Sequence, residues 1–61
     1  MTVECTLAGG VATIALNRPE VRNALNLEMC EALLAATERL RADPSIRLVF
    51  VRGNGPVFCG G

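Results

Sequence analysis

The chain has 61 residues, six basic and six acidic side chains for a formal net charge of zero, and a hydrophobic fraction of 51%. Zero net charge removes the electrostatic basis for nucleic acid or an anionic membrane surface as the main partner. A chain of this size buries only about 60% of the surface its unfolded form exposes, so an apolar fraction this high implies faces covered by further chain or by partner subunits.

Histidine is absent and the three cysteines, Cys5, Cys30 and Cys59, lie far apart. No CxxC pair or Cys/His cluster exists to hold zinc, and no metal site is expected. Three thiols cannot all pair, so they are expected to be buried and to act as small hydrophobes in a reducing compartment. The first ten residues lack the basic and apolar regions of a signal peptide. No run approaches the roughly 18 apolar residues of a membrane-spanning helix, and the chain reads as cytoplasmic.

Val3, Cys5 and Leu7 alternate with Thr2, Glu4 and Thr6, the period of a half-buried strand. Gly9-Gly10 suits a tight hairpin turn, and the β-branched run Val11-Ala12-Thr13-Ile14-Ala15-Leu16 reads as the returning strand. Asn17-Arg18-Pro19 ends it, because proline cannot donate to a ladder and biases Arg18 toward extended backbone. Residues 20–24 read as a connection of unassigned conformation. Asn26 predicts an N-cap for a helix from Leu27, with Glu28 and Glu31 near the positive dipole end. Its expected apolar stripe is Leu27, Cys30, Leu33, Leu34 and Leu40, with Thr37 interrupting it. Arg39 and Arg41 suit the carboxyl end, and Asp43-Pro44 stops the helix. Leu48-Val49-Phe50-Val51 is a continuous apolar run, the pattern of a parallel strand covered on both faces. Helix then buried strand predicts an α/β layer architecture. The glycine-rich segment 53–61 suggests a chain interrupted within a turn, hence the opening ββαβ part of something larger.

Candidates for proton transfer are few: the chain has no histidine, lysine or tyrosine, and Ser45 is its single serine. Glu28, Glu31 and Glu38 fall on the polar helix face and read as solvated acids. Residues 53–61 fail as a dinucleotide fingerprint, since Phe58 stands where the third glycine belongs, and no Gly-Lys-Ser/Thr follows to make a P-loop. What remains is a Cys59-Gly60-Gly61 turn whose small residues let main-chain N–H groups approach an oxygen closely. A helix starting just beyond would add its free N–H groups and make an anion or oxyanion site; a plain surface turn is the alternative.

Three linked motifs carry a resemblance. They are the run from Val11 to Asn17-Arg18-Pro19, then Arg22-Asn23-Ala24-Leu25-Asn26 capping an amphipathic helix, then the strand from Leu48 into Gly53-Asn54-Gly55-Pro56-Val57-Phe58-Cys59-Gly60-Gly61. Together they resemble the start of the crotonase superfamily, the enoyl-CoA hydratases and isomerases, over nearly the whole chain.

The resemblance implies that residues 1–61 form a partial, N-terminal segment of one crotonase-like domain, an incomplete ββα spiral assembling as trimers or hexamers. It implies an enzyme acting on acyl-CoA thioesters, whose enolate-like oxyanion is stabilised by two backbone N–H groups. Coenzyme A would be part of the substrate, with no separate cofactor. By the same match Val21, Arg22 and Ala24 lie along coenzyme A, with Arg22 either meeting a phosphate or standing as a solvated loop cation. Cys59, Gly60 and Gly61 would line the acyl-CoA groove. Alanine usually stands in the family where Gly60 stands here. The first oxyanion donor would follow Gly61, and the acid/base carboxylates would lie further on, so no catalytic residue is expected within the chain. Which reaction of the superfamily is run stays open. A non-catalytic α/β structural or interaction module is the competing reading.

Overall fold

A computed structural model describes residues 2–60. Two strands, β1 (Val3–Ala8) and β2 (Val11–Leu16), form the expected hairpin, with Val3 opposite Leu16 and Ala8 opposite Val11. Gly9 and Gly10 have φ of 57° and 81°. A two-residue turn that matches strand twist requires positive φ at both central positions, which glycine adopts without steric cost. A 3₁₀ turn (Pro19–Val21) leads to α1 (Leu27–Arg41), and β3 (Leu48–Gly53) then pairs parallel with β2, giving the strand order β1-β2-β3. The α/β class, the helix and the parallel return all agree with the sequence.

Asn26 caps α1 as expected: its Oδ1 accepts from the Met29 N–H at 2.8 Å. At the other end Ala42 is the C-cap, and the Asp43 carboxylate accepts from the Ser45 N–H at 2.9 Å and its hydroxyl at 2.7 Å. This exposed turn holds the Asp43 carboxyl below its ordinary value, first through the hydroxyl and then through the backbone N–H.

The buried face of α1 differs from the expected stripe. Met29, Ala36 and Leu40 are buried and Ala32 and Leu33 pack beside them, whereas Leu27, Cys30 and Leu34 are exposed. The helix presents small alanines to the sheet because they let its backbone approach β1 and β2, and Met29 is fully buried beside them. Burying a side chain of that size is worth roughly 1.5–3 kcal/mol. The seven-residue core joins Val3, Ala12, Ile14 and Leu16 to that helix face.

Three further expectations are corrected. Leu7 departs from the alternation and is exposed, because α1 covers only the start of β1. Cys30 is an exposed thiol, while Cys5 and Cys59 are half-buried. Arg18 has φ −131° but ψ 56°, short of extended backbone, because its carbonyl turns inward to accept two N–H groups of the following loop.

Strand β3 is parallel as expected, but residues 48–51 are 43–55% exposed. Register places Val49 and Val51 opposite Ala12 and Ile14, on the helix side of the sheet. Helix α1 packs over β1 and β2, leaving this side of β3 open. Among the described residues nothing covers its second face either.

Candidate functional site

The loop between β2 and α1 is built by reversal of backbone handedness. Pro19 begins the 3₁₀ turn, and Arg22 and Asn23 then take left-handed φ of 57° and 55°. Asparagine tolerates this region; arginine does so at a cost of about 1 kcal/mol. The reversal is held by N–H groups of Val21 and Asn23 donating to the Arg18 carbonyl at 3.1 and 2.8 Å, and by Arg22 N–H donating to Pro19 at 3.1 Å.

Asn23 is fully buried and every polar atom of its side chain is used. Its Oδ1 accepts from the Arg18 N–H at 2.7 Å. Its Nδ2 donates to the carbonyls of Asn54 at 2.9 Å and Val57 at 2.8 Å. One side chain therefore joins the 18–24 loop to the turn after β3. The Arg18 guanidinium closes the near side by donating to the Ala24 carbonyl. Asn54 adds a second tie, its N–H to the Leu16 carbonyl at 2.8 Å and its amide to Asn17 Oδ1 at 3.0 Å.

Close approach explains the glycines of the turn. A Cβ on Gly53 would stand 2.4 Å from the Phe58 carbonyl oxygen, and one on Gly55 would stand 2.8 Å from Pro19 Cβ. Gly60 donates its N–H to the Arg22 carbonyl at 2.8 Å, and a Cβ there would come within 3.1 Å of the same oxygen.

The structure thus brings together two residues that the sequence placed in separate motifs, Arg22 and Gly60. Val21 and Arg22 present exposed side chains on this surface and Ala24 is half-buried. Cys59 packs partly against the core. Gly61 lies outside the described residues. Sequence reasoning did not single out Asn23, Gly53 or the Arg18 guanidinium. The available signal for Asn23 was local: asparagine is the side chain best suited to left-handed backbone beside a proline turn. An open groove elsewhere, between Cys5 on β1 and Ala36 and Arg39 on α1, contains none of these residues. Among the described residues no three His, Cys, Asp or Glu side chains gather to hold a metal, and no helix is long and apolar enough to cross a membrane.

A ββαβ unit whose helix covers β1 and β2, with a left-handed loop stapled to a glycine-rich turn, defines an α/β fold. The chain belongs to the enoyl-CoA hydratase/isomerase family, whose model matches residues 11–61, in agreement with the crotonase resemblance of its motifs. It is 42% identical over 52 residues to a trans-2-decenoyl-acyl-carrier-protein isomerase of Streptococcus mutans, covering 85% of this chain and 20% of that protein. It is 46% identical over 61 residues to the mitochondrial enoyl-CoA hydratase domain-containing protein 2 of Bos taurus, covering 93% of this chain and 21% of that protein. An enoyl-CoA hydratase/isomerase structure from Mycobacterium paratuberculosis superposes with a TM-score of 0.97 at 39% identity, covering all of this chain and 24% of that one. The chain spans about a fifth of the length of these curated relatives.

Proposed function

We propose that this chain is the thioester-groove portion of an enzyme that hydrates or isomerises enoyl-CoA. In hydration, water gives a proton to a carboxylate as its oxygen bonds to C3 of the conjugated thioester, the double-bond electrons move onto the thioester oxygen, and the resulting enolate takes a proton at C2. In isomerisation a 3-enoyl thioester loses a proton from C2 to a base, and the resulting dienolate, with its charge on the same thioester oxygen, is reprotonated at C4. Both routes need backbone N–H groups aimed at that oxygen before charge develops, so that little reorganisation is needed at the reaction itself. The observation that carries the reading is the Gly60 N–H to Arg22 carbonyl bond. It sets the loop expected along coenzyme A directly beside the turn expected to lead to the oxyanion donor.

In this reading Val21, Arg22 and Ala24 with Cys59, Gly60 and Gly61 line the groove. Proton transfer belongs to carboxylates elsewhere in the protein. Coenzyme A is part of the substrate and no separate cofactor acts. Trimers or hexamers in the cytoplasm complete the proposal. The Streptococcus mutans relative is named for an acyl-carrier-protein substrate, so the pantetheine thioester is the common chemical core.

The test uses the full-length protein with a 2-enoyl-CoA, followed by loss of the conjugated thioester absorbance, and with a 3-enoyl-CoA, followed by its gain. Turnover of either is expected. Absence of both with purified, folded protein would favour the non-catalytic module.

A further inference from the structure

Asn23 sits behind the proposed groove, and its side chain touches neither exposed surface of it. The main-chain carbonyl of its neighbour Arg22 holds the Gly60 N–H at 2.8 Å. Its own Nδ2 holds the carbonyls of Asn54 and Val57 at 2.9 and 2.8 Å, on the turn that runs to Gly60. The two ends of the proposed substrate path are therefore referenced to one buried amide, through the loop 21–24 that carries it and the turn 54–60 that it holds.

We propose that Asn23 is a positioning residue that couples grip on the nucleotide end of the thioester to the geometry of the turn carrying the reacting end. This rests on the enoyl-CoA reading given above. Binding energy from a remote part of a substrate raises turnover only if it is spent on geometry at the reacting centre. That transfer requires a stiff connection, and small displacements of the reacting groups are costly. Asn23 supplies the connection because it has no rotational slack. It is fully buried, its backbone is left-handed, and both Nδ2 donors and the Oδ1 acceptor of its amide are engaged. Arg18 braces the same loop from outside through the Ala24 carbonyl.

The isosteric change Asn23→Asp keeps the acceptor for Arg18 and replaces both Nδ2 donors with an oxygen facing two carbonyls. A purely structural role would lower turnover of every substrate alike. A coupling role changes a ratio. In the full-length enzyme kcat is measured for an enoyl-CoA and for the matching enoyl-pantetheine, which lacks the nucleotide. The native enzyme is expected to turn over the CoA thioester faster, and Asn23→Asp to shrink that advantage by about tenfold, the size of coupling that directly linked groups show. Asn23→Gly, which suits the left-handed backbone and removes both Nδ2 bonds without adding a charge, should shrink it to a similar extent, and decides the matter if Asn23→Asp does not fold. An undiminished advantage in the folded variants overturns the coupling while the enoyl-CoA reading stands. Native enzyme that turns over both thioesters equally overturns the coupling alone, and native enzyme with no turnover overturns the enoyl-CoA reading and this inference with it.

Discussion

Asn23 and Gly53 share one space: a Cβ on Gly53 would stand 2.8 Å from the Asn23 amide nitrogen. Strand β3 can end against the β2–α1 loop only because its last residue has no side chain. Gly53 has no positive φ, so its requirement is purely steric. Gly53→Ala is expected to cost about 2–3 kcal/mol, as an overpacked site does. Gly9→Ala, with open space around it but φ of +57°, should cost only about 1 kcal/mol of backbone strain. Thermal melting of the two variants in the full-length protein checks the order; equal losses would mean that the turn after β3 yields.

Arg22→Glu tests the front of the proposed groove. The side chain is exposed, and in the proposed reading its reversal beside the coenzyme A phosphates removes one attraction and adds one repulsion. A loss of about 1–2 kcal/mol, on the order of a tenfold rise in Kd for a non-reactive acyl-CoA, is expected at low salt. The difference should narrow as ionic strength rises. Titration calorimetry of native and variant protein reads it, and equal affinities at low salt would leave Arg22 a solvated cation.

The Asp43–Ser45 turn predicts a pH dependence. The folded-state value of Asp43 is depressed below 3.8 by the Ser45 hydroxyl and N–H, so the folded state binds its proton less readily than the unfolded chain. Its contribution to stability is present above the unfolded value and is lost as pH falls through the folded one. Ser45→Ala should raise the Asp43 value toward 3.8 in an NMR titration, because the largest cause of the depression is gone. An unchanged titration would assign the depression to the backbone N–H alone.

Strand β3 predicts association. Leu48, Val49, Phe50 and Val51 are all exposed and its outer edge is unpaired among the described residues. Flat apolar edges pair with further strands. The 61-residue chain by itself should sediment as concentration-dependent oligomers, and Val49→Lys with Phe50→Lys, one on each face, should shift it toward monomer. A native chain that stays monomeric at high micromolar concentration would contradict this.

Much of the fold was legible because its determinants are local. Gly9-Gly10 dictated the hairpin, Asn26 the helix start, and the run of residues 48–51 the parallel strand. The helix face was misjudged because large side chains were weighed above alanine, whereas close packing on the sheet selects Ala32 and Ala36 and leaves Leu27 and Leu34 outside. The proposed groove was legible only in its front rank. Arg22 and Gly60 could be named from their motifs, but Asn23 owes its importance to Asn54 and Val57, 31 and 34 positions away. No periodicity records a bond of that span.

The strand order has a consequence for assembly of the chain. Pairing β1 with β2 closes a two-residue turn, whereas every β2–β3 pair encloses the whole of α1. Loop-closure entropy must be met before distant contacts form, so short-range pairings come early and long-range ones late. The hairpin and helix are therefore expected to form first, and β3 to join them afterwards. The Asn23 amide would find Asn54 and Val57 only at that later step. The proposed groove is then completed only when β3 joins, and a molecule caught before that step would have a hairpin and a helix but no groove.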